Sequence, residues 1–245
     1  LENLRRSGAM PERPVLVKTI VTDNLCVEIA RAYGVHVHET LTGFKHICGA
    51  IPELASDGYS YVMGFEESIG YAVGKLVRDK DGLSGSLLLC RAAAQCRREG
   101  RTLWDMLSGL WLQYGYHAAR PLNLVREGLD GQAKIAAIMT AFRQGAPRRI
   151  GNASLVRIED LLAGYAQQLE AAGMAAGPEI PLAFPQSNVL RYFFDDGSWY
   201  AVRPSGTEPK LKIYLYCVVH GTIAQGDTAL ETMYEAIRPL LDIDA

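Results

Sequence analysis

Residues 203–210 read Arg-Pro-Ser-Gly-Thr-Glu-Pro-Lys and lie between two β-rich runs. Arg203 offers a fork of donors matched to a phosphate. Ser205 and Thr207 add hydroxyls, and Gly206 lets backbone N–H groups close on an anion. Pro204 and Pro209 stiffen the segment, which lowers the ordering cost of binding. Lys212 supplies a second cation. The same composition also makes a tight turn between strands, and the residues alone do not separate the two readings.

A second segment, 64–70, reads Gly-Phe-Glu-Glu-Ser-Ile-Gly. Its carboxylates can accept hydrogen bonds from vicinal sugar hydroxyls, and Ser68 can donate or accept. The plainer reading is a solvated loop entering a helix, with Glu66 or Glu67 near its positive end. In the third, 78–82, Lys80 sits between Asp79 and Asp81, the pattern of an exposed ion-pair cluster. The fourth, Thr42-Gly43-Phe44-Lys45, says little by itself. His36 and His38 share a strand face and read as satisfied or solvated histidines rather than metal ligands. No Ser-His-Asp or Cys-His arrangement can be argued from the chain.

These segments need elements to hold them. Residues 15–21 are a β-rich run, and Asp23 or Asn24 can cap a helix over 25–33 that Gly34 ends. Residues 35–39 alternate as a strand, 45–56 continue as a helix, and 59–63 make a third strand ending at Gly64. Strands alternating with helices predict a mixed, largely parallel α/β domain, with ligands at the carboxyl ends of its strands. A helix follows over 84–100, with apolar Leu87, Leu88, Cys90, Ala94 and Cys96. Thr102 and Asp105 form a capping-box-like start to the next, which Gly115 stops. Residues 117–121 read as a linker, which puts a domain boundary there.

The remainder predicts a small α+β domain with an antiparallel sheet. Residues 130–143 are amphipathic, with Ile135, Ile138, Met139 and Phe142 on one stripe. Residues 171–185 are rich in Ala, Gly and Pro and read as a loop. Strands at 188–194 and 198–202 flank Asp195-Asp196-Gly197, a hairpin signal. A strand over 211–219 and a helix over 224–241 complete it.

The bulk composition narrows the function classes. Of 245 residues, 49% are hydrophobic and 21% charged, enough apolar content for buried cores. The net charge of −2 argues against a nucleic-acid binder. No apolar run is long enough to span a bilayer. The five cysteines include no C-x-x-C pair, so reduced, mostly buried thiols and a cytoplasmic protein are expected. The start of the chain is polar and basic, without an initiator Met or a signal-peptide core. Leu1, Leu4, Arg5 and Arg6 have helical character, so residues 1–11 are expected to be the tail of a preceding domain in a longer protein.

In order and spacing, T-L-T-G-F-K at 40–45, G-F-E-E-S-I-G-Y at 64–71, V-R-D-K-D-G at 77–82 and R-P-S-G-T-E-P-K at 203–210 resemble the α-D-phosphohexomutases, the phosphoglucomutase/phosphomannomutase family. The run V-K-T-I-V-T-D at 17–23 is similar to the start of that family's third domain. The double-glutamate segment is similar to the phosphoglucomutase and phosphopentomutase branch. The resemblance covers nearly the whole chain. It implies domain three over 12–120, with a sugar-binding loop, and domain four over 121–245, with a phosphate-binding loop. Sugar contacts would then be Thr42, Gly43, Glu66, Ser68 and Lys80, with Lys80 also an acid/base candidate. Phosphate contacts would be Arg203, Ser205, Gly206, Thr207 and Lys212.

Family members have four domains around a cleft and move phosphate between C1 and C6 of a hexose, or C5 of a pentose. A phosphoserine donates phosphate, and a bisphosphate forms and turns over. The resemblance therefore implies Mg2+ and glucose 1,6-bisphosphate as cofactors of the whole enzyme, with glucose phosphate as first substrate. This chain has no loop resembling the family's T-A-S-H-N-P serine segment or its D-G-D-x-D-R metal segment. It is expected to be inactive without those N-terminal domains. The alternatives are a phosphomannomutase or phosphopentomutase, a non-catalytic phosphosugar-binding module, and an interaction domain that keeps the fold.

Overall fold

The structure, a computed structural model, describes residues 1–128, 130–169, 177–206 and 208–243. Two compact units divide it, Leu1–Tyr114 and Gly115–Ala245.

The first unit begins with α1 (Glu2–Arg6). Leu1 and Met10 lie against Leu16, Ala30 and Val35, and Arg5 stands over the Tyr33 ring at 5.1 Å. There follow β1 (Pro14–Thr19), α2 (Leu25–Ala32), β2 (His36–Thr40), α3 (Phe44–Ser56), β3 (Ser60–Glu66), β4 (Gly70–Val73), α4 (Gly82–Arg98) and α5 (Leu103–Tyr114). The sheet runs β2-β1-β3-β4, with β1 parallel to β2 and β3, and β4 antiparallel to β3. All six residues of β1 are buried, as a central strand covered on both faces requires. Ile47, Ile51 and Leu54 of α3 pack with Val15, Val17 and Tyr61.

Gly64 does not end β3. The strand runs on to Glu66 and turns back as a hairpin, so segment 64–70 leads into a strand rather than a helix. The glycine marks a close approach: a Cβ there would lie 2.3 Å from Ile47 Cγ2 and 2.9 Å from the Tyr61 hydroxyl. The apolar residues of α4 are largely exposed, Leu87 at 60%, and only Cys96 of that helix is buried. The other thiols divide: Cys48 and Cys217 are buried, Cys26 is half-buried and Cys90 is exposed.

The second unit contains β5 (Tyr116–Val125), α6 (Gly131–Gly145), β6 (Arg149–Ile150), β7 (Ala153–Asp160), β8 (Tyr165–Gln168), β9 (Ile180–Pro181), β10 (Leu190–Phe194), β11 (Trp199–Pro204), β12 (Lys210–Val219) and α7 (Ile223–Leu241). Residues 117–121 are strand, not linker; they pair with β12 along the edge of an eight-stranded antiparallel sheet. Pro121 is tolerated there because an edge strand can lack a ladder donor. The sheet is larger than a hairpin and one strand, since β5 to β9 also join it. One face carries α6 and α7. Ile135, Ile138, Met139 and Phe142 meet Leu230, Met233 and Ile237 over Tyr192, Tyr200 and Val202. The segment read as a loop at 171–185 is described only from residue 177, and it includes β9.

Candidate functional site

In the first unit the β3–β4 hairpin gathers three of the expected sugar contacts. Glu66, at 9% exposure, accepts from the Ser68 hydroxyl at 2.9 Å and pairs with Lys80 Nζ at 2.6 Å, all through Oε1. Lys80 therefore does not pair with its sequence neighbours. Asp79 instead accepts from the Lys80 backbone N–H, and Asp81 caps α4 by accepting from Ser84 N at 3.1 Å. Lys80 Nζ also stands 5.7 Å from the centre of the Phe44 ring. That ring follows Gly43, which caps α3 with a φ of 110°, a conformation suited to glycine. Thr42 lies beside it, half-exposed, with no hydrogen bond to this cluster among the described residues. The hydrogen bond from Lys80 to Glu66 holds the Lys80 ammonium above its ordinary pKa. At neutral pH Lys80 is therefore a fixed donor beside the Glu66 oxygen.

Gly70 lets the cluster close. A Cβ there would fall 2.5 Å from Phe44 Cε2 and 2.9 Å from Glu66 Oε1. At the hairpin tip Ile69 is 82% exposed and has a φ of 59°, unusual for a β-branched residue.

In the second unit Arg203 of β11 and Lys212 of β12 are cross-strand partners, and Lys212 is in turn opposite Asn123 of β5. Leu211, Ile213 and Leu215 point into the helix-covered core. By alternation, Lys212 and its two partners form a row on the opposite face. The loop that joins β11 to β12 is closed at its base. Ser205 N donates to Lys210 O at 2.7 Å, and Arg126 N donates to Pro209 O at 2.9 Å. Gly131 makes room for this: a Cβ would lie 2.0 Å from Arg126 O and 2.9 Å from Pro209 Cβ. Gly206 is exposed in a bend, and Thr207 lies outside the described residues. Two cations directly opposite each other repel. Neither has an ion-pair partner among the described residues.

Both units match family descriptions. The model for "Phosphoglucomutase/phosphomannomutase, alpha/beta/alpha domain III" matches residues 1–114, and that for the family's C-terminal domain matches residues 132–218. The chain belongs to the phosphoglucomutase/phosphomannomutase family. It is 36% identical over 206 residues to a phosphoglucomutase of Staphylococcus haemolyticus, covering 84% of this chain and 36% of that protein. It is likewise 36% identical over 218 residues to one of Staphylococcus aureus, covering 88% and 38%. The chain thus spans less than two fifths of the length of these relatives. The fold agrees with solved structures. Parafusin (a phosphoglucomutase) from Paramecium, in its open form, superposes with a TM-score of 0.62 at 19% identity, covering 93% of this chain and 37% of that one. A putative phosphomannomutase from Thermus thermophilus gives 0.59 at 18%, covering 98% and 39%.

Among the described residues of this phosphohexomutase chain, no three His, Cys, Asp or Glu side chains come together to hold a metal ion. No helix among them is long and apolar enough to cross a membrane. Sequence reasoning missed Phe44, Gly70 and Asn123 as parts of these sites. Gly70 carried a signal as the second glycine around the glutamates. Asn123 carried none, because β5 was hidden behind Pro121.

Proposed function

We propose that this chain is the substrate-binding C-terminal part of a phosphohexomutase that interconverts hexose 1-phosphate and hexose 6-phosphate, with glucose as the first substrate. Phosphate passes through a phosphoserine and a bisphosphate intermediate, glucose 1,6-bisphosphate. The serine and the Mg2+ ligands lie outside this chain, in N-terminal domains of the same protein, which acts in the cytoplasm. Glu66 and Ser68 accept and donate to vicinal sugar hydroxyls, Lys80 donates beside them, and Thr42 and Gly43 help select the sugar face. Arg203, Lys212 and the 205–207 backbone and hydroxyls grip the phosphate that is not being transferred.

The observation that carries the reading is the pair Arg203–Lys212, two cations in cross-strand register beside a stiff loop. A dianion between them turns repulsion into two charge-assisted contacts. Phosphoryl transfer depends on groups beside the moving phosphate, so binding without turnover is expected of this chain. Calorimetric titration with glucose 1,6-bisphosphate tests it. Weak binding is expected, and Arg203→Ala should weaken it about 10- to 100-fold. Binding that ignores Arg203, or real mutase turnover by this chain alone, would overturn the proposal.

A further inference from the structure

The two glutamates of the hairpin face different ways. Glu66 meets Ser68 and Lys80. Glu67 points back to the β1–α2 turn, where its Oε2 lies 3.2 Å from Thr19 Oγ1 and 3.3 Å from Thr22 Oγ1. The two hydroxyls are 2.9 Å from each other, and both threonines are buried, at 0% and 3% exposure. Three contacts share only two hydroxyl protons. At least one must donate to Glu67, since a carboxylate only accepts and the two hydroxyls make just one bond between themselves.

The turn under Glu67 is itself anchored. Lys18, 1% exposed, donates from Nζ to Thr22 O at 2.8 Å and Asn24 Oδ1 at 3.1 Å, and pairs with Glu39 Oε1 at 3.0 Å. A buried ammonium is costly unless satisfied, and here three partners satisfy it. Contacts therefore run from Glu39 on β2 through Lys18 and Thr22 to the tip of the β3–β4 hairpin.

We infer that Glu67 is a positioning residue: its carboxylate, latched on Thr19 and Thr22, fixes the hairpin turn so that Glu66 and Ser68 present their oxygens to the sugar. The inference rests on the reading that this hairpin meets the sugar, and it divides the work of the doubled glutamate. One carboxylate serves the ligand, and the other serves the loop that carries it.

The test combines hydrogen exchange over 64–73 with titration of glucose 1,6-bisphosphate, both on the full 245-residue chain. Glu67→Ala and the near-isosteric Thr22→Val should each speed exchange of the turn amides about tenfold and weaken binding about five- to twentyfold. The second unit's exchange should not change, which separates a loosened turn from a failure to fold. Glu67→Gln keeps an acceptor oxygen and should restore both readouts to within about twofold of the parent. Unchanged turn exchange in Glu67→Ala and Thr22→Val would overturn the latch, whatever the titration gives. If the parent chain itself shows no binding, the sugar reading fails, while exchange still decides whether the latch exists.

Discussion

Gly70 sets how closely Phe44 approaches Glu66, and so whether Lys80 can lie over the ring while paired with the carboxylate. Gly70→Ala would push a methyl into contacts of 2.5 and 2.9 Å. We expect it to cost about 1–3 kcal/mol in thermal unfolding. It should also bring the Lys80 pKa back toward its ordinary value, read by NMR of the side-chain ammonium. Part of this was legible in the sequence. Two glycines around two carboxylates and a serine marked the segment as special. The ion pair from Glu66 to Lys80 was not legible, because two acids flank Lys80 in sequence and offered nearer partners. Nor was the inward turn of Glu67, since adjacent glutamates look alike until it is known that the strand ends at Glu66 and the turn begins at Glu67.

Among the elements, the turn after β7 rests on Asp160. Its Oδ1 accepts from Leu162 N at 3.0 Å and Ala163 N at 3.2 Å, while Arg143 Nε of α6 donates to Oδ2 at 2.7 Å. Burial pushes this carboxyl up, but the Arg143 bond and the two backbone donors outweigh it, and the pKa is lowered. A carboxylate lowered in the folded state adds stability above its unfolded value, about 3.9. That stability is lost as the pH falls through the lowered native value. Asp160→Asn should therefore lower stability at pH 7 by about 1–3 kcal/mol in urea titration. The gap from the parent should shrink below about pH 4. The long elements were readable: α3, α6, α7 and the β10–β11 hairpin all announced themselves by periodicity and turn residues. The elements missed were the strands β4 to β9. β5 carries a proline, and β6 and β9 are two residues long, too short for alternation to register, while β7, eight residues long, broke no such rule. The row Arg203–Lys212–Asn123 across β11, β12 and β5 was thus visible only for its first two members.

At the scale of the molecule, each unit has its own core, and the two cores differ in quality. The second packs two helices on a wide sheet, with Phe142, Leu155 and Ile138 fully buried. The first has a pocket of about 1060 Å³, open to solvent, beside α1, α2, α4 and α5, lined in part by Leu4, Tyr33, Met63, Leu88 and Met106. No residue of α5 is buried. Helices with so few buried residues contribute little to local stability, so heating should melt the first unit before the second. The family resemblance gave the two-domain order, but nothing in the periodicity of α4 or α5 foretold that their apolar residues stay near the surface. The three tryptophans divide between the units in a way that makes this order visible to light. Trp104, 59% exposed, meets Trp111 edge-on at 5.4 Å in the first unit. Trp199, 2% exposed, stacks on Tyr216 at 5.2 Å in the second. The indole couplet should fade from the circular dichroism spectrum first, with fluorescence moving to the red only when Trp199 meets water.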